Sequence, residues 1–221
     1  MAAARHPNGV DKRRIILDAA ISVFARQGFH SCRVSDVADE AKVAYGLVYH
    51  YFDSKEEILN TLFTERWQIM LDAISEIDRK QEVPARDKLY MVAGFIIDSY
   101  RHEPDLMKVI IVEVTRAANS FGRVHLAKIR EAYDGIAKIV EGAQRDGAFK
   151  SDISAEFAAM CFYGAIEQLL SGWIFDLLPQ TEEEFEKAKV LVVEAICGGL
   201  EADGTRGVPL GAHPASGPVS G

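Results

Sequence analysis

The chain has 221 residues, 48% of them apolar and 26% charged, with a formal net charge of −8. That balance excludes a wholly disordered chain and a uniformly basic nucleic-acid binder, but it leaves room for a local basic patch. Three cysteines, Cys32, Cys161 and Cys197, are far apart and odd in number. They fit neither a zinc cluster nor a disulfide framework, and they point to a reducing, cytoplasmic setting.

In chain order, the opening Met1-Ala-Ala-Ala-Arg-His-Pro lacks the apolar core of a signal peptide. The first helix is expected from Asp11, as N-cap, to Gly28, with Ile15, Ile16, Ala19, Ala20, Val23 and Phe24 inward. Two short helices follow, near 34–41 and 44–52, joined by a tight turn. Asp53-Ser54 before Lys55-Glu56-Glu57 is an N-cap with an acidic first turn, and it opens a long helix to about Lys80. Beyond Pro84 the periodicity predicts helices near 86–102, 105–117, 122–146, 154–177 and 182–200. The last twenty residues carry five Gly and three Pro and are expected to form a disordered tail. Strand alternation is missing, so the expected class is all-α.

The charge changes sign along the chain. Residues 1–55 hold eight Lys or Arg against six acids, a net of +2, and the remainder carries a net of −10. Two modules with different partners are expected: 11–56, and 57–200 ahead of the tail 201–221. Residues 157–175 contain one charge, Glu167, and are almost long enough to span a bilayer. Glu167, Gln168, Ser171 and the flanking acids favour a helix buried between protein surfaces, so no membrane partner is expected.

The paired short helices in the basic segment form a helix-turn-helix candidate. Val34, Val37, Ala38, Ala41, Val43, Val48 and Phe52 supply apolar anchors, while Tyr45, Gly46, Tyr49 and His50 fall outward. The run Ile16-Leu17-Asp18-Ala19-Ala20-x-x-x-Phe24-Ala25-x-x-Gly28-Phe29, then Val34-x-x-Val37-Ala38-x-x-Ala41-x-Val43, then Gly46-x-x-Tyr49-x-Tyr51-Phe52-x-x-Lys55-Glu56 resembles the N-terminal domain of TetR-family transcriptional regulators. The resemblance implies an N-terminal three-helix DNA-binding domain and a C-terminal helical domain. It also implies a homodimer on a palindromic operator, released by a small effector. Three positions depart from the family pattern: Cys32-Arg33 stand where Thr or Ser is usual, Lys42 replaces a turn Gly, and Ala44 replaces a capping Ser.

Carried over position by position, Tyr45 and Gly46 become base-contact candidates, and Ser35 a base or phosphate contact. Arg33, Tyr49, Tyr51 and Lys55 become phosphate contacts, which position without specifying sequence. His50 suits either role, and Lys42 adds charge beside the same surface.

In the C-terminal part, Gly147-Ala-Phe-Lys and the run from Phe157 to Phe175 are similar to the fatty-acid-degradation regulators (FadR) of the TetR family, which answer to long-chain acyl-CoA. On that resemblance no cofactor is expected, and acyl-CoA is the expected effector. The acyl chain is assigned to Val92, Phe95, Ile96, Met107, Ile110 and Ile111, and the CoA phosphates to Arg116, Arg123, Lys128 and Arg130. The family's dimer interface maps onto Phe162, Ala165, Leu169, Gly172 and Trp173 with Val190, Val193, Ile196 and Cys197.

An enzyme is the rival of another class. His102-Glu103 begins like a zinc-protease motif, but Pro104 breaks the helix and Leu106 stands where the second His belongs. No phosphate loop, nucleophile elbow or metal cluster appears. A regulator answering to another hydrophobic or aromatic molecule, and a helical adaptor that binds only protein, complete the alternatives.

Overall fold

The computed structural model describes residues 8–115 and 122–200. The order is α1 (Asn8–Gln27), α2 (Val34–Glu40), α3 (Tyr45–Tyr51), α4 (Lys55–Asp78), α5 (Ala85–His102), α6 (Pro104–Val109), a π-helical run (Ile110–Thr115), α7 (Gly122–Arg145), α8 (Ala155–Ile174) and α9 (Glu182–Leu200). The class is all-α. Among the boundaries that differ from the sequence reading, two change its account of an element. Helix α1 starts at Asn8, so Asp11 lies inside it rather than capping it, and the helix expected over 105–117 widens to π-helix at Ile110. The tail 201–221 lies outside the described residues.

The helices group into two compact units. Among the described residues, one comprises 8–70 with 99–115 and 122–129, the other 71–98 with 130–200. The division expected at 56/57 follows sequence pattern; the packing groups α4 as far as Met70 with the short helices.

In the first unit, Ile16, Ala20, Val23 and Phe24 of α1 are buried with Val37 and Ala38 of α2, Val48 of α3 and Ile58, Leu59 and Phe63 of α4. Phe24 meets Phe29 edge to face at 5.4 Å. Helix α2 ends in a left-handed turn: the Val43 N–H donates to the Ala38 carbonyl at 3.0 Å and the Lys42 N–H to that of Asp39 at 3.1 Å. Lys42 sits there at φ 54°, the backbone region that favours glycine. The family's turn Gly therefore has a backbone reason, and a lysine bears the strain here. Ser54 caps α4 as its sequence position implies, its Oγ accepting from the Glu57 N–H at 3.1 Å.

In the second unit, Leu89, Val92 and Ile97 of α5 are buried, as are Ile136 and Val140 of α7, Phe162, Ile166 and Trp173 of α8 and Phe185, Val193 and Cys197 of α9. Trp173 packs on Phe185 with ring centroids 4.7 Å apart. A Cβ at Gly172 would come within 2.6 Å of the Leu178 side chain, so a larger residue there would have to displace that leucine.

Candidate nucleic-acid interface

Helix α3 is seven residues long and has two faces. Val48 is fully buried and Phe52, its C-cap, is 3% exposed; these anchor the helix. On the opposite side Tyr45 is 53% and Tyr49 43% exposed, with Gly46 and His50 also exposed. The Tyr45 and Tyr49 hydroxyls share a hydrogen bond of 3.2 Å, and their rings meet at 5.1 Å and 65°. That bond holds the Tyr49 hydroxyl above the usual phenol range. Tyr51 is half-buried, its ring 5.1 Å from that of His50.

Arg33 and Lys42 are exposed and Ser35 is half-buried. The Arg33 N–H donates to the Asp36 carboxylate at 2.7 Å, the half of a capping box that the helix residue supplies, while the half a Ser or Thr side chain would supply is not made. Lys55 is employed differently from the sequence expectation. Its half-buried ammonium donates to the carbonyl oxygens of Phe29 and Cys32 and lies 4.5 Å from the Phe29 ring centre. It ties the α1–α2 connection to the start of α4, which supplies charge near the surface but leaves fewer donors for a phosphate.

The effector candidates are spread through the chain. Met107, Ile110 and Ile111 are buried in the first unit, and Val92 and Ile96 in the second, where Phe95 is half-buried. Lys128 is engaged with α4: its carbonyl accepts from Trp67 Nε1 at 2.8 Å, and its ammonium donates to Gln68 at 3.1 Å. One turn earlier on α7, buried His125 bonds to Asn60 and rests 4.2 Å from the Phe63 ring centre. Burial pushes its imidazole below the ordinary histidine range. Arg130 is exposed. Arg116 and the side chain of Arg123 lie outside the described residues.

The α8–α9 residues divide by burial. Phe162 (1%), Trp173 (2%), Val193 (0%) and Cys197 (0%) are consumed by the protomer's own core, as is Gly172, and have almost no surface left to offer a second copy. Ala165, Leu169, Val190 and Ile196 are half-buried. The large exposed apolar side chains of α8 and α9 are instead Phe157, Met160 and Leu191, at 63%, 56% and 63% exposure, which the sequence reading does not assign to the interface. A cavity of about 780 Å³ opens on the same helices, lined by Leu169, Trp173, Leu178, Val190 and Leu191 with Glu183 and Glu194. Also unnamed was Lys189, 5% exposed. Burial alone would pull its ammonium down, but the carboxylates of Asp98, 2.8 Å away, and Glu186 hold it above its ordinary value.

Among the described residues, no group of three or more His, Cys, Asp or Glu is placed to hold a metal ion. No described helix is long and apolar enough to cross a membrane.

Residues 16–62 match the model of the bacterial regulatory proteins of the tetR family, and residues 63–189 that of the C-terminal region of YsiA-like proteins. The chain is 32% identical over 165 residues to the fatty acid metabolism regulator protein of Bacillus subtilis (strain 168), covering 73% of this chain and 82% of that protein. The crystal structure of FadR from Bacillus subtilis in complex with stearoyl-CoA superposes with a TM-score of 0.72 at 24% identity, over 85% of this chain and 98% of that one. FadR from Bacillus halodurans gives 0.75 at 21% identity, over 89% and 98%. These relatives regulate rather than catalyse, and the paired short helices lie within the matched residues 16–62. The chain belongs to the TetR family of transcriptional regulators.

Proposed function

We propose that this protein is a cytoplasmic, homodimeric repressor that binds a palindromic operator through α3 and releases it when a long-chain acyl-CoA binds the C-terminal part. The observation that carries the DNA reading is the two-faced α3, with Val48 fully buried and Tyr45 and Tyr49 about half exposed. Rings that could have been buried stand outward with their hydroxyls, within a segment of net charge +2 in an otherwise acidic chain. Arg33, Ser35, Lys42, His50 and Tyr51 supply the flanking contacts in this reading. The 32% identity to a fatty acid metabolism regulator supports the effector class. The exposed Phe157, Met160 and Leu191 support dimerisation through α8 and α9.

Native mass spectrometry of the purified protein without added ligand tests this. A dimer carrying a co-purified fatty acyl-CoA is the expected result. A clean dimer returns the effector to other hydrophobic or aromatic molecules, and a strict monomer removes the operator geometry, because two half-sites need two recognition helices. Binding to duplex DNA should also fall steeply with salt, as phosphate contacts require; salt-independent retention would favour a protein-binding adaptor.

A further inference from the structure

Helix α3 holds two phenols as a single unit. Tyr45 and Tyr49 stand at i and i+4, on one stripe of the helix. Their hydroxyls bond at 3.2 Å and their rings meet edge to face at 5.1 Å, yet both remain about half exposed. The pair is ordered without being buried. Beside it, Gly46 is one turn from both Tyr49 and His50, and a Cβ there would meet no atom within 4 Å. Its φ is not among the positive ones, and helical glycine is less favourable than alanine. Neither packing nor backbone geometry in this chain calls for glycine here, so the open notch serves something outside the chain.

We propose that Tyr45 and Tyr49 act as one specificity-determining element that reads a thymine, whose 5-methyl group enters the notch at Gly46 against the phenol rings. This rests on the DNA-binding reading of α3, and it moves Tyr49 from the phosphate contacts to the base contacts. Two physical reasons favour it. One of the two hydroxyl protons is already committed to the partner hydroxyl, which suits a ring surface better than two separate donors to phosphate. The shared bond also fixes both rings before DNA arrives, so little side-chain freedom is lost on binding. Of the four DNA bases only thymine presents a methyl group in the major groove, and apolar contact is how it is told apart.

The test starts from a duplex that the full-length wild-type protein selects from a random pool. Thymines of one half-site are then replaced singly by deoxyuridine, which lacks the methyl, and binding is followed by fluorescence anisotropy. One such replacement should weaken wild-type binding by about tenfold. Gly46→Ala should weaken binding to the thymine duplex by a similar factor, and the deoxyuridine at that position should restore part of the loss. Tyr45→Phe and Tyr49→Phe should each cost affinity, and the double variant should cost little more than either. Thermal melts of the tyrosine variants should match wild type, since neither side chain is buried, and Gly46→Ala should melt at wild-type temperature or slightly above it. Insensitivity to every deoxyuridine, or independent additive losses at the two tyrosines, would overturn the inference while leaving DNA binding intact. A wild-type protein that retains no duplex would instead overturn the regulator reading, and this inference with it.

Discussion

Two exposed surfaces of this protein are rich in large side chains, and they differ in kind. On α3 the exposed rings are Tyr45 and Tyr49, which carry hydroxyls that hydrogen-bond to each other. On α8 and α9 they are Phe157, Met160 and Leu191, which carry no polar atom beyond a thioether. A surface of phenols tolerates water and meets a polar, hydrated partner without loss. A surface of hydrocarbon gains free energy only by leaving water, at about 25 cal/mol per Å² buried. The first kind suits a partner that comes and goes, the second a stable contact between protein surfaces.

The sharpest way to break that contrast is to charge the hydrocarbon surface. Met160→Glu should leave the helical signal unchanged, because Met160 is 56% exposed. It should weaken the proposed dimer by about a hundredfold, since each copy would bury a carboxylate against an apolar surface. Sedimentation at graded concentrations reads this directly, and an unchanged dimer would place the interface elsewhere. The next effect separates the two sides of α8. Phe162→Ala should destabilise the fold by about 3–5 kcal/mol, as expected for a fully buried ring, while Met160→Ala should leave it within about 0.5 kcal/mol. Equal losses in urea unfolding would contradict the burial of Phe162 in the protomer's own core. The smallest effect belongs to the α2–α3 turn. Lys42→Gly should stabilise the protein by roughly 1 kcal/mol by relieving a left-handed backbone, partly offset by the added freedom of the unfolded chain. A rise in Tm with weaker DNA binding would separate the two roles of Lys42, strain in the backbone and charge at the surface.

The α2–turn–α3 segment was legible because its information is local. Val37, Ala38, Val48 and Phe52 lie within sixteen residues, and their spacing alone assigns one face inward. The outward placement of Tyr45, Tyr49 and His50 follows from the same spacing. Helix α8 was legible as a helix but not as a pair of faces. Its apolar residues run nearly all round, so periodicity cannot say which side meets the protomer's own core and which meets solvent. Spacing therefore assigns Phe162 and Trp173 to the interface although they are buried inside, and gives Met160 and Phe157 no such role.

Lys55 and Lys189 show a second kind of limit. Lys55 reaches carbonyls 26 and 23 residues back in the chain, and Lys189 reaches a carboxylate 91 residues away. No short-range pattern records such a pairing, because an ammonium group looks the same in sequence whether it faces water or backs a carbonyl. The π-helical run at Ile110–Thr115 left no signal either, since its apolar spacing is also compatible with an α-helix.

By itself, the sequence determined the helical class, the paired short helices, the Ser54 cap and the family, all of which rest on spacings of a few residues. Only the tertiary structure decided which side of α8 and α9 is spent on the core, what Lys55 and Lys189 bind, and that Tyr45 and Tyr49 are joined. Burial and pairing depend on groups brought together from distant parts of the chain, or on rotamers that spacing leaves open.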